Sequence, residues 1–209
     1  MADGKQAQQH DDDHEHHGPE ELRVGILTSS DRSARGERAD TTGPTIHNLV
    51  VERLGGKVVQ YKVVPDNIQA LSETLIEWVD EHHLDLILTN GGTGLSPTDV
   101  TPEATRKVIE KETPWIVNAM VLESLRVTPY AMLTRATAGI RGRTLIVNLP
   151  GSPKAATENL TAVAEILPHA VMIVQGVDPA VVRGQKKGEA KPEPAAAGSL
   201  AKNVGGPTC

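Results

Sequence analysis

The chain has 209 residues, enough for one full-sized domain with its own core and not long enough to require two. Asp3, Asp11, Asp12, Asp13, Glu15, Glu20 and Glu21 against Lys5 alone give residues 1–21 the equivalent of the whole net charge of −6, so the remainder is near neutral and offers no electrostatic basis for binding nucleic acid. A lone cysteine, Cys209, excludes an internal disulfide framework or thiolate metal cluster, and with no signal-peptide pattern and no apolar run able to span a bilayer the expectation is a cytoplasmic protein without membrane partners.

Residues 1–21 lack periodic apolar positions and read as a disordered head, in which His10, His14, His16 and His17 could hold a metal only loosely. The folded region is expected over residues 22–176. Val24-Gly25-Ile26-Leu27-Thr28 is a β-branched apolar run without polar alternation, which predicts a buried strand. A polar stretch rich in Arg, Ser and Gly follows. Ile46, Leu49, Val50 and Leu54 then recur at helical spacing and stop at Gly55-Gly56. Val58, Val59, Tyr61, Val63 and Val64 predict a second strand, ended by Pro65-Asp66-Asn67. Either Asp66 or Asn67 is placed to cap the helix carrying Ile68, Leu71, Leu75, Ile76 and Val79. Leu84 to Thr89 predicts a third strand. This alternation of strand and helix argues for parallel βαβ units in an α/β fold.

Farther on, Thr101 reads as a helix cap before Pro102, with Glu103 where the helix dipole favours an acid. A helix is predicted from Trp115 to Leu125, and strands over Ala131 to Ala136 and Thr144 to Val147, with Gly139-Ile140-Arg141-Gly142 as the turn between them. The last helix is predicted from Ala155 to Leu167. Ala170 to Val174 fits helix or strand, and residues 177–209 read as a flexible tail rich in Ala, Gly, Pro and Lys.

In a parallel α/β fold, ligands bind at the carboxyl ends of the strands. Gly91-Gly92-Thr93-Gly94 stands at such an end and reads either as an anion-binding nest of N–H groups or as a structural glycine turn; it is neither a P-loop nor a dinucleotide fingerprint. Ser96-Pro97-Thr98-Asp99 leads from it to a helix. Asp99 suits a divalent cation or a capping role, and Asp66, at what this reading takes to be a neighbouring strand end, would make a carboxylate pair for a hard cation such as Mg²⁺. Pro150-Gly151-Ser152 precedes the last helix and places Ser152 at its N-cap, where N–H groups favour an anion; Lys154 there is explained by an anionic ligand or by solvent. Asp31 follows the first strand. His47, His82, His83 and His169 fall on or beside helices and suggest no nucleophile triad.

The strings Asn90 to Thr105 and Asn148 to Lys154, with Ser30-Asp31-Arg32, Asp40-Thr41-Thr42-Gly43, Val64-Pro65-Asp66, Glu123-Ser124-Leu125 and Ala138 to Gly142, resemble the molybdenum-cofactor biosynthesis domain family, specifically its molybdopterin adenylyltransferases. The resemblance covers about residues 22–176. It implies a three-layer α/β/α sandwich with a mostly parallel central sheet, a homotrimer, and Mg-ATP-dependent adenylylation of molybdopterin that releases pyrophosphate. The product would pass to a molybdate-insertion protein. By motif, Asp66 and Asp99 match the carboxylates tied to Mg²⁺ and adenylyl transfer, and Gly91, Gly92, Thr93 and Gly94, with Ser96 and Thr98, match the nucleotide side. Ser30 and Asp31 belong to the same ligand site, and Pro150, Gly151 and Ser152 match the loop for the pterin phosphate. A relative that binds molybdopterin without transfer, or a trimeric scaffold, is the alternative. Pro114-Trp115 departs from the Pro-Gly common in the family and leaves two places for Trp115, a subunit interface and a wall of the pterin pocket.

Overall fold

The computed structural model describes residues 21–177; the histidines of the expected head and the expected tail from residue 178 lie outside the described residues. Six strands form one sheet: β1 (Arg23–Ser29), β2 (Lys57–Val64), β3 (Leu86–Asn90), β4 (Lys111–Glu112), β5 (Ala138–Arg141) and β6 (Thr144–Leu149). Their order is β2-β1-β3-β6-β5-β4. The first four in that order run parallel, and β5 and β4 add an antiparallel edge.

Period-two alternation of side chains divides the core between the two faces of the sheet. Val24, Ile26, Leu86, Leu88, Leu145 and Val147 face one side. There they pack under α2 (Thr42–Leu49, continued by one π turn over Val50–Leu54), α5 (Pro114–Leu125), α6 (Pro153–Val163) and α7 (Leu167–Val174), through residues such as Ile46, Met120, Leu160 and Val171. Leu27, Ile87 and Ile146 face the other side, against Leu71, Leu75 and Trp78 of α3 (Ile68–Asp80) and Ala104 of α4 (Thr101–Val108). Strands covered on both faces have no polar face to show, which is why they read as unbroken apolar runs. Each of these fully buried Leu or Ile side chains contributes about 1.5–3 kcal/mol. The result is a three-layer α/β/α sandwich.

Four local expectations change. The polar stretch after β1 contains a one-turn helix, α1 (Asp31–Ala34), capped by Ser30 Oγ, which accepts from Ser33 N. Ala131 to Ala136 is not a strand: Pro129–Leu133 forms a 3₁₀ turn capped by Thr128, with Met132 and Leu133 turned to the surface at 68% and 49% exposure. Gly139-Ile140-Arg141 is part of β5, and the hairpin turn is Gly142-Arg143, with Gly142 at φ 53°. Thr101 does not cap α4, because its hydroxyl donates instead to Gly91 O at 2.8 Å; of the two candidates before α3, Asn67 is the cap. Ala170 to Val174 resolves as part of α7.

Candidate functional site

The chain leaves β1 toward β2 on one side and leaves β3 toward the β6-β5-β4 side on the other, so a crevice opens between the carboxyl ends of β1 and β3. Asp66 and Asp99 therefore do not follow neighbouring strands, as the sequence reading had them; β1 separates the two. Its Ser29 and the residues after it fill the gap. Ser29 Oγ donates to Asp66 Oδ1 at 2.6 Å, and Asp31 N donates to Asp66 Oδ2 at 3.0 Å. Asp66 N returns a bond to Asp31 Oδ1 at 3.0 Å, and Ser30 N donates to Val64 O at 3.0 Å, so the ends of β1 and β2 are locked together.

The glycine loop is built on left-handed backbone at Gly91 (φ 87°) and Gly92 (φ 61°). A Cβ on Gly91 would stand 2.3 Å from Ser29 O, so only glycine lets the loop lie against β1. Thr101 anchors the loop to α4: its hydroxyl holds Gly91 O and its N–H donates to Gly92 O at 3.1 Å. With those carbonyls occupied, the N–H groups of Gly92, Thr93 and Gly94 are taken up by no hydrogen bond within the described residues. Three successive main-chain donors without an internal partner are what an anion-binding nest requires.

The two carboxylates border this loop at different points. Asp66 Oδ1 lies 3.4 Å from where a Gly92 Cβ would be, and Asp99 Oδ2 lies 2.8 Å from the equivalent position at Gly94. Asp99 closes a tight turn, accepting from Ser96 N at 2.9 Å through Oδ2 while its own N–H donates to Ser96 O at 2.9 Å. The Ser96 and Thr98 hydroxyls pair at 3.0 Å inside that turn. From the far side, Gly151 packs onto the loop: a Cβ there would meet Gly91 Cα at 3.1 Å, and Thr42 Oγ1 donates to Gly151 O at 2.8 Å. Ser152 caps α6, accepting from Ala155 N at 3.2 Å, while Lys154 faces solvent beside Glu158.

Two clefts flank the junction of these loops. One, of about 160 Å³, is polar, with Thr28, Ser29, Ser30, Ser33, Arg38, Asp40, Thr42, Asn90, Gly91 and Gly151 in its lining. The other, of about 300 Å³, is mainly apolar, walled by Val121, Tyr130, Ala131, Leu133 and Pro150 with Thr93 and Gly94 at its loop side and Asn159, Ser124 and Glu158 as polar points. Two larger clefts are present, one of about 670 Å³ that has Asp66 and Val100 in its lining and extends along α3, and one of about 660 Å³ at the amino end of β3.

Two residues at the centre of hydrogen-bond networks were given no role from the sequence: Asp40 entered only as part of a family motif, and Arg135 not at all. Asp40 Oδ2 accepts from Thr28 Oγ1 at 2.6 Å and Tyr61 OH at 2.7 Å, and Oδ1 accepts from Thr42 N and Gly43 N at 2.9 and 3.0 Å. Burial works against the Asp40 charge, yet the four donors outweigh it and hold the carboxyl below its ordinary pKa. Burial and the neighbouring Asp40 charge push the Tyr61 phenol upward. The sign of Asp40 in the sequence was an Asp two residues before the start of a helix. Arg135 donates from Nε to Gly94 O at 2.7 Å and from Nη2 to Asp99 O at 2.6 Å, and pairs with Glu103 through Nη1. For Glu103, burial is again the largest influence and acts upward, but the Arg135 bond with the local backbone and Arg106 brings the carboxyl below its ordinary value. A lone arginine inside an apolar run was the available sign, since such a charge needs partners.

This geometry has counterparts among known proteins. The family described as "Probable molybdopterin binding domain" matches residues 25–169. The chain belongs to this family. The molybdopterin-binding domain so defined begins in β1, ends in α7 and contains every site residue expected from the sequence. The chain is 43% identical over 164 residues to the molybdenum cofactor synthesis protein cinnamon of Drosophila melanogaster, covering 78% of this chain and 27% of that one, so it spans about a quarter of that relative's length. It is 39% identical over 156 residues to a molybdopterin adenylyltransferase of Helicobacter pylori, covering 74% of this chain and 89% of the relative. The solved structure of the molybdopterin biosynthesis enzyme MoaB from Thermus thermophilus superposes with a TM-score of 0.71 at 52% identity, covering 74% of this chain and 97% of that one. Within this domain Trp115, which stands where glycine is common, sits in the first turn of α5 at 79% exposure and is not in the lining of the apolar cleft.

Proposed function

We propose that this chain transfers the adenylyl group of Mg-ATP to molybdopterin, releasing pyrophosphate. The observation that carries the reading is the placing of a polar cleft and an apolar one on either side of a single junction of loops, Gly91–Gly94 against Pro150–Gly151. A reaction that joins two phosphorylated heterocycles needs this division: places for two flat rings and one shared place for phosphate. The name of the Helicobacter pylori relative supports the same chemistry.

In the proposed step an oxygen of the terminal phosphate of molybdopterin forms a bond to the α-phosphorus of ATP, and the bond from that phosphorus to the bridging oxygen of the β-phosphate breaks. The free N–H groups of Gly92, Thr93 and Gly94 bind nucleotide phosphate, and the capped amino end of α6 at Ser152 receives the pterin phosphate. Ser30 and Asp31 shape the polar side by holding the β1 end against Asp66. No side chain has to act as nucleophile, so the protein contributes alignment and preorganised charge.

The placing of Asp66 and Asp99 at the border of the glycine loop supports a site for one Mg²⁺. Among the described residues no group of three or more His, Cys, Asp or Glu could cage a metal, and Mg²⁺ uses one or two carboxylates with substrate phosphates and water instead. Asp66 and Asp99 would hold it, and it would offset charge on the phosphate oxygens and the departing pyrophosphate. Asp99→Asn keeps the shape of the side chain while removing its charge. It is expected to fold as the wild type does and to lower turnover by about 10²–10³, measured as AMP transfer to molybdopterin. Undiminished turnover would remove Asp99 from the site.

A further inference from the structure

Resting on that reading for its kinetic arm alone, we infer that Arg135 is the positioning residue of the Asp99 turn, and that it joins the turn to the wall of the apolar cleft. The turn from Leu95 to Thr98 is exposed, and its internal bonds involve Ser96, Thr98 and Asp99. Arg135 grips both of its ends. The main-chain N–H donates to Thr93 O at 2.8 Å, Nε to Gly94 O at 2.7 Å and Nη2 to Asp99 O at 2.6 Å, while Nη1 pairs with Glu103 in the first turn of α4. One planar fork thus sets the distance from Gly94, over which the Asp99 carboxylate stands, to Asp99 itself.

The geometry is specific to arginine. Three donors diverging in one plane reach two carbonyls and a carboxylate at once, which a lysine ammonium on a flexible stem cannot do. The clamp is also costly to lose, because Glu103 Oε2 is buried without a hydrogen-bond partner and the guanidinium is the principal compensation for that carboxylate. Arg135 follows directly on Tyr130, Ala131, Leu133 and Thr134, all of which line the apolar cleft. Arg135 is thus connected along the chain to that wall and through its hydrogen bonds to the turn carrying Asp99.

The test uses the full chain as wild type, Arg135→Lys, Arg135→Ala, Asp99→Asn and the double variant Arg135→Lys with Asp99→Asn. In ligand-free protein, hydrogen exchange at the Ser96 and Asp99 amides, the ones bonded across the turn, is expected to be at least tenfold faster in Arg135→Lys, with β3 amides unchanged; equal protection at these two amides overturns the assignment. If Arg135→Ala fails to fold, Arg135→Lys decides. Kinetically, Arg135→Lys is expected to lower kcat tenfold or more in the wild-type background and less than twofold in Asp99→Asn, because both changes act through one carboxylate. Equal losses in both backgrounds mean a structural role only and overturn it. Wild-type protein without AMP transfer defeats the functional reading, and the exchange result then decides the positioning role alone.

Discussion

Single carboxylates in this site are defined by what donates to them. Asp66 and Asp99 drew notice in the sequence because each follows a strand and stands at or near a proline, where the chain turns. Asp40 entered only as part of a motif and Arg135 not at all, since their partners lie farther along the chain: Tyr61 for one, Gly94 and Asp99 for the other. Asp40 carries a testable pH dependence. Its folded pKa is depressed, so its stabilisation is complete above the ordinary carboxylate value of about 4 and is lost as pH falls through the lower folded value. Urea unfolding is expected to show a stability loss below about pH 4 that is smaller in Asp40→Asn. An identical acid limb in both proteins would mean that Asp40 gains nothing from its four donors.

At the scale of elements, the central parallel strands β1, β3 and β6 were readable because burial on both faces leaves no alternative to a continuous apolar run. The same rule misled at Ala131 to Ala136, where apolar residues line a cleft and reach solvent instead of entering the sheet. It also hid β5, whose glycine at 139 suggested a turn although a Cβ there would collide with Lys111 O at 2.6 Å, a close strand pairing. The junction of β3, the glycine loop and α4 depends on Thr101. Thr101→Val keeps the volume and deletes the hydroxyl bond to Gly91 O in a fully buried position. The expected cost is about 1–3 kcal/mol in chemical denaturation, with weaker Mg-ATP binding from a loosened nest. Full nucleotide affinity with lowered stability would show that Thr101 supports the fold without shaping the loop.

For the molecule as a whole, the three layers and the place of the crevice follow from strand order, which a single sequence does not display; Asp66 and Asp99 were accordingly assigned to neighbouring strands when β1 separates them. No helix among the described residues is long and apolar enough to cross a membrane. The outer face of α5 and the 3₁₀ turn nonetheless expose Trp115, Leu122, Val127, Tyr130 and Met132, an apolar surface of the kind that marks an interface. For the homotrimer that the family resemblance implies, this surface is the candidate interface. Sedimentation is expected to give a trimer that Leu122→Glu dissociates, and a wild-type monomer would leave this surface for a different partner, such as the molybdate-insertion protein that would receive the product.

The central claim is that the two clefts hold two substrates whose phosphates meet at the glycine loops. Its most direct test is incubation of the purified chain with molybdopterin, ATP and Mg²⁺, followed by detection of adenylyl-molybdopterin and pyrophosphate. Equal amounts of both products, formed only when all three components are present, are the predicted result. Molybdopterin that binds and is recovered unchanged, with no pyrophosphate released, would contradict the account.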